Sequence, residues 1–345
     1  MKALCYHAPR TITCDSVPDA KLQADTDIVV RMTACGICGS DLHIYHGEGF
    51  SADLGYYVGH EAVGEVMEVG SAVRRVKTGD RVMISAAVGC GGCAPCLAGN
   101  VLKCETGGAG CYGLSHALPG CQSEAIRVPK GDYNVAPIPD GLTEEQALML
   151  TDNLPTAWFG CVGAEIGPGK TVVVVGLGPI GLMAVEAAFV MGAARVFAVD
   201  LVAERRAIAA SLGAEAFDAA DAAAAIAERT SGRMADCAVE AVGADATINL
   251  AMQLVGRQGI VSAIGVNQTR KFDFPMALAF MKTLTFRIGT CSVPRYWPAI
   301  VPLVQSGRLK PERFLTHRMK LDNGAEAYRL FDARADGVLK TIMTP

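Results

Sequence analysis

Four thiols fall within fifteen residues in the run Cys90-Gly-Gly-Cys93-Ala-Pro-Cys96, with Cys104 following after seven intervening residues. Four thiolates complete a tetrahedral shell around one zinc ion, and Gly91, Gly92 and Pro95 let the backbone turn tightly about such a centre. A shell closed by four protein ligands is structural, because no position remains for a substrate. Upstream, Cys35-Gly-Ile-Cys38-Gly-Ser40-Asp41-Leu-His43 and then Gly59-His60-Glu61 bring a thiol, an imidazole and a carboxylate into a short span, a donor set that also suits zinc. A third pattern, Gly176-Leu177-Gly178-Pro179-Ile180-Gly181, follows the apolar run Val172 to Val175 and opens a helical stretch. Glycines there allow a tight turn and a close approach of backbone N–H groups to a pyrophosphate at the positive end of the helix. Asp200 closes the next strand nineteen residues beyond Gly181, where a carboxylate accepts hydrogen bonds from an adenosine ribose. That negative charge would repel the extra phosphate of NADP, so NAD is the expected cofactor, with Arg205 and Arg206 as the nearby groups that could favour the phosphorylated form.

These residues need two kinds of scaffold. From residue 1 to about 150 there are short β-branched runs, Asp27 to Met32, Glu61 to Val69, Arg81 to Ile84 and Glu124 to Val128, separated by Gly, Pro and Asp. From Lys170 strands alternate with alanine-rich helical stretches, which predicts βαβ units and a parallel sheet. The six expected strands are Thr171 to Val175, Arg195 to Asp200, Glu215 to Asp218, Ala235 to Glu240, Gly259 to Val266 and Leu284 to Gly289. Helical spacing of apolar residues marks Ile180 to Met191 and Glu204 to Leu212, and Ala222 to Ala225 also reads as helix. The alternation stops near residue 290, and the remainder is too short to form a third domain.

At 345 residues the chain is long for one hydrophobic core, which argues for two domains. With 31 basic and 35 acidic residues the net charge is -4, and no Lys/Arg block offers a nucleic-acid footprint. The apolar stretches are interrupted by Gly, Pro or charge before reaching the length of a membrane span, and Met1 to His7 carries no apolar signal core. The expectation is a cytoplasmic protein that binds neither membrane nor nucleic acid and whose thirteen cysteines are reduced, with no disulfide.

The motifs GICGSDLH, GHEAVGEV followed by GSAVRRVKTGDRV, the four-cysteine lobe, TDNLPTAWFG, GLGPIG and the closing DGVLKTIMTP together resemble the zinc-dependent alcohol dehydrogenases of the medium-chain dehydrogenase/reductase superfamily over essentially the whole length. The resemblance implies an α/β fold. It consists of a GroES-like β-rich catalytic domain (1–152, with the zinc lobe at 90–104), a Rossmann domain (153–289) and a return to the catalytic domain (290–345), with the active site in the cleft between the domains. By the same resemblance Cys38 and His60 are catalytic zinc ligands, and Glu61 is a neighbouring acid behind the metal that can transiently coordinate it. Asp152 stands where many relatives have a cysteine and is the third ligand, as in the secondary alcohol dehydrogenase branch; Cys35 is not a ligand. Asp152 as the cap of a helix starting near Leu154, with Cys161 as the competing thiol, is the alternative. Ser40 resembles the hydroxyl that accepts the substrate proton, and His43 the imidazole that passes it to solvent. The implied activity is reversible oxidation of primary or secondary alcohols to aldehydes or ketones, with NAD, two zinc ions per chain and a homodimer or homotetramer. A polyol or amino-alcohol dehydrogenase on the same scaffold, and a non-catalytic zinc protein that senses NAD, are the competing readings.

Overall fold

The computed structural model describes residues 1–106, 110–268 and 271–345. Two compact units result, one formed by Met1–Pro155 together with Cys291–Pro345, the other by Thr156–Thr290. In the first, β-branched residues alternate along strands that pair almost entirely antiparallel, so that one face of each is buried. Its largest sheet has seven strands, with the path Val135–Pro137, Arg81–Ile84, Glu61–Val69, Ile28–Gly36, Thr341–Thr344, His317–Lys320, and Ala125–Val128 joined to Ile28–Gly36 from off that path. Its core is built around Leu4, Ile28, Val30, Ile37, Val66, Val82, Tyr112 and Tyr328. The register sets Gly36 opposite Glu61 on one side and Ile342 on the other, which brings the chain's closing segment beside the metal-binding motif.

The second unit is a six-stranded parallel sheet in the order Glu215–Phe217, Arg195–Val199, Thr171–Val175, Ala235–Glu240, Val255–Ala263, Thr285–Ile288. Helices connect these strands, as parallel neighbours require. The strands are near-continuous apolar runs because helices cover both faces: Val172 to Val174, Phe197, Ala198, Ala238 and Val239 are wholly buried. The strand expected to begin at Gly259 begins at Val255, with a register shift between Ala235 and Cys237 on its partner and a left-handed residue, Gln258, within it. Reversing the strand order at Thr171–Val175 places the loop after this strand at the switch point where ligands of such sheets bind.

Candidate active site

One donor atom each from Cys38, His60, Glu61 and Asp152 lies within 4.8 Å of the others, and the thiols of Cys90, Cys93, Cys96 and Cys104 form a second such group. In the lobe, Cys90 Sγ and Cys96 Sγ are 3.9 Å apart. A tetrahedral zinc with bonds of about 2.3 Å separates its sulfurs by about 3.8 Å, so this spacing fits a shared metal. Backbone N–H groups of Gly92 and Cys93 donate to Cys90 Sγ at 3.4 and 3.3 Å, and the Thr106 hydroxyl lies 3.3 Å from Cys104 Sγ. Such donors favour thiolate: with the Thr106 hydroxyl as the main cause, Cys90 is lowered to about 7 and Cys104 to about 5. None of the thirteen cysteines is in a disulfide.

The other cluster is assembled from three places in the chain. Cys38 follows the strand Ile28–Gly36, and its N–H donates to Asp41 Oδ2 at 3.0 Å at the start of the short helix Asp41–Tyr45. His60 and Glu61 stand at the beginning of the strand Glu61–Val69. Asp152 comes after the helix Glu144–Met149, whose start is fixed by a reciprocal cap between Thr143 and Gln146. The intervening turn is held by Trp297 Nε1 on the Leu150 carbonyl (2.8 Å) and by Ala86 N on the Thr151 carbonyl (3.1 Å). Asp152 Oδ2 is then 3.7 Å from Cys38 Sγ and 3.6 Å from His60 Nε2. A helix does begin at Asn153, so a cap-like position and a place in the cluster are compatible for Asp152. Cys161 is not in the cluster; its buried Sγ lies 3.5 Å from the Ala184 carbonyl. The thiol, imidazole and carboxylate oxygen fit a three-ligand zinc centre.

Asp41 is a residue that motif reading left without a role. It is fully buried, and its Oδ1 lies 3.2 Å from His60 Nδ1, close but out of line for a hydrogen bond. Burial is the largest influence and works against charge on His60, yet Asp41, Cys111 and Asp152 together outweigh it and hold the imidazole well above its usual value. A metal on Nε2 would exclude the second ring proton and leave Nδ1–H as the proton nearest the Asp41 carboxylate. Ser40 Oγ lies 3.5 Å from His60 Nε2, and His43, 26% exposed, has Nδ1 3.9 Å from Glu48. Burial and the Glu61 charge push the Cys38 thiol up, so its thiolate needs a cation partner.

In the parallel unit, Gly176 ends the first strand at φ +90, where a Cβ would also sit 2.3 Å from Val242. A Cβ on Gly181 would be 1.8 Å from the Gly176 carbonyl. Gly178 is different: its φ is −65 and nothing lies within 4 Å of where its Cβ would be, so this glycine leaves an open cradle at the N-terminus of the helix Pro179–Val190. Asp200 accepts from Leu177 N (2.7 Å) and Val202 N (2.8 Å), which fixes its carboxylate at the glycine turn with lone pairs to spare for a diol. Arg206 is committed to the Asp200 and Leu201 carbonyls and to Asp218, while Arg205, on the same helix, is partly buried. Glu240, which sequence reading treated only as the end of a strand, accepts from Val242 N, Gly243 N and Thr247 Oγ1 and so shapes the loop against Gly176.

An antiparallel unit with two metal-type clusters and a parallel unit with a dinucleotide turn define a metal-dependent nucleotide-linked oxidoreductase. The family model of the alcohol dehydrogenase GroES-like domain matches residues 24–140, and that of the zinc-binding dehydrogenases matches residues 179–306. A "Probable zinc-binding alcohol dehydrogenase" of Mycobacterium tuberculosis is 40% identical, covering 100% of this chain and 89% of that protein. Among solved structures, the alcohol dehydrogenase TADH of Thermus sp. ATN1 is similar at TM-score 0.93 and 38% identity, over 100% of this chain and 99% of that one. A zinc-binding dehydrogenase of Sinorhizobium meliloti, solved bound to NADP, is similar at TM-score 0.86 and 28% identity, over 100% of this chain and 99% of that one. The chain belongs to the zinc-dependent alcohol dehydrogenases of the medium-chain dehydrogenase/reductase superfamily.

Proposed function

We propose that this enzyme oxidises primary or secondary alcohols reversibly to aldehydes or ketones, with NAD as hydride acceptor, through a centre held by Cys38, His60 and Asp152. The observation that carries the reading is the convergence of those donors within 4.8 Å beside Ser40, while four further thiols form a separate closed set. Zinc, when bound, supplies a Lewis acid for the substrate oxygen, and the nicotinamide supplies the hydride acceptor. The protein's part is charge and protons. Cys38 as thiolate and Asp152 as carboxylate together balance a divalent cation, and Asp41 keeps His60 turned toward it. Ser40 takes the hydroxyl proton, and His43, partly exposed and facing Glu48, carries it toward solvent.

For the cofactor, Gly178 leaves space for a pyrophosphate and Asp200 a fixed carboxylate for the ribose diol, which favours NAD over NADP by like-charge repulsion. Two zinc ions per chain follow from the two donor sets. A homotetramer or homodimer in the cytoplasm completes the proposal. The oligomer is supported by the edge strand Thr285–Ile288, with Ile288 exposed and Phe280 and Met281 exposed on the preceding helix. Among the described residues no helix is long and apolar enough to cross a membrane. A panel of simple, aromatic and polyhydroxy alcohols read at NADH absorbance with both cofactors tests the reading. Turnover of alcohols with NAD is expected, and faster turnover with NADP would assign the phosphate to Arg205 or Arg206.

A further inference from the structure

Gln122 lies just before the strand Ala125–Val128, outside every motif read from the sequence, and it is wholly buried. Its backbone is tied on both sides: its N–H donates to the Val58 carbonyl at 3.0 Å, and its own carbonyl accepts from Leu4 N at 2.8 Å. The side chain passes over Gly59, the residue before His60. Gly59 leaves the room, for at φ +89 it favours glycine, and a Cβ there would lie 2.4 Å from Gln122 Cγ and 2.8 Å from Nε2. At its far end Nε2 donates to the Gly36 carbonyl at 2.9 Å and to Asp41 Oδ2 at 3.3 Å. A carbonyl and a carboxylate only accept, which settles the direction of the amide. Gln122 Oε1 then accepts from Tyr328 Oη at 2.9 Å, on the helix Gly324–Ala333 of the closing segment. A buried polar chain runs from Tyr328 through Gln122 and Asp41 to His60.

We propose that Gln122 is a positioning residue for the metal site: its amide holds the Asp41 carboxylate with Oδ1 toward His60 and so fixes the orientation of that imidazole; this rests on the metal-site reading above. The reason lies in how the two carboxylate oxygens are used. Oδ2 accepts from Cys38 N at 3.0 Å as well as from Gln122, so both N–H donors are gathered on one oxygen. Oδ1 is left 3.2 Å from His60 Nδ1, and neither of these two buried atoms has a hydrogen-bond partner among the described residues. The terminal torsion of an aspartate is broad, so one donor alone leaves the carboxylate free to turn. Without Gln122 either oxygen can take the Cys38 N–H, and His60 loses an acceptor in a fixed place.

The test uses the full chain with Co²⁺ at the Cys38 centre and zinc in the lobe, challenged with excess chelator, with cobalt loss read from the visible spectrum and zinc loss by a chromogenic indicator. Gln122→Met should show an altered cobalt spectrum and release cobalt about tenfold faster than wild type, while the lobe releases zinc at the wild-type rate. A merely structural role would loosen both metals together. In an Asp41→Ala background, where the amide has no carboxylate to hold, adding Gln122→Met should change cobalt release by less than about twofold. Tyr328→Phe removes one hydroxyl and frees the amide oxygen; it should speed cobalt release about threefold, and it decides the matter should Gln122→Met not fold. The inference is overturned if Gln122→Met or Tyr328→Phe retains cobalt like wild type, if the lobe loses zinc in parallel, or if the full effect of Gln122→Met persists without Asp41. Failure of wild type to take up Co²⁺ at Cys38 would instead overturn the metal-site reading itself.

Discussion

At the scale of single residues, Asp152 separates this centre from one with a second cysteine. Asp152→Ala should leave Cys38 and His60 too few to retain a metal, so elemental analysis should find the catalytic zinc and most activity lost and the lobe zinc and fold kept. Cys161→Ala should keep both metals and cost about 1 kcal/mol, because this buried thiol, whose burial pushes it far up, packs as a neutral core residue near the Ala184 carbonyl. The reverse result would move the ligand to Cys161. Asp200→Ser should lower the ratio of NAD to NADP efficiency; since Asp200 also holds Leu177 N and Val202 N, the absolute rates with both cofactors should fall, and the ratio is the quantity to measure. Residue types and local spacing pointed to the lobe and to a thiol, an imidazole and a carboxylate between Cys35 and Glu61, because each motif is short, whereas the individual roles of Cys38, Ser40 and His60 came from the family resemblance. The partners Asp41, Gln122 and Tyr328 were not legible that way: their roles depend on pairings such as Gln122 with Asp41 that only the folded chain creates.

Among the elements, the glycine turn separates structural from functional need. Gly181→Ala forces a Cβ to 1.8 Å from the Gly176 carbonyl, so it should destabilise by about 3 kcal/mol or more in denaturant unfolding. Gly178→Ala meets no protein atom and has an ordinary φ; it should leave stability within about 0.5 kcal/mol while weakening cofactor binding, measured by quenching of protein fluorescence. If both variants lose only stability, the cradle is not a phosphate site. The parallel strands were legible because doubly covered strands are unbroken apolar runs, and Thr171–Val175 and Ala235–Glu240 fall where the runs do. The first residues of Val255–Ala263 were missed because Gly256, Gln258 and Gly259 read as loop; pairing with Ala235–Glu240 resumes on either side of them, at Val255 and Ile260. Likewise Ile28–Gly36 outruns its β-branched core, ending in Thr33-Ala-Cys-Gly, since strands on both sides continue the ladder. The five-residue helix at Asp41 is too short for a periodic signal.

For the whole molecule, the two proposed metal sites should differ in lability, because four sulfurs would enclose one and the proposed set of Cys38, His60 and Asp152 leaves the other more open. The lobe should also respond to pH in a defined direction. Cys90 and Cys104 are lowered from 9.0 to about 7 and about 5, so the stabilisation from their thiolates is complete above the unfolded value and is lost as pH falls through about 7 and then about 5. Burial pushes Cys96 of the same lobe up to about 12, so zinc retention by the lobe, followed with a chromogenic chelator, should weaken continuously as pH falls from alkali through 7 to 5; retention that improves with acid would contradict thiolate ligation. The most direct test of the account is a chelator titration of the purified enzyme in which zinc released, circular dichroism and alcohol-dependent NADH formation are read together. The account predicts that release of the first equivalent of zinc abolishes NADH formation while the fold and the second equivalent persist. Full activity in protein carrying a single zinc, or no NADH formation with any alcohol in protein carrying two, would contradict it.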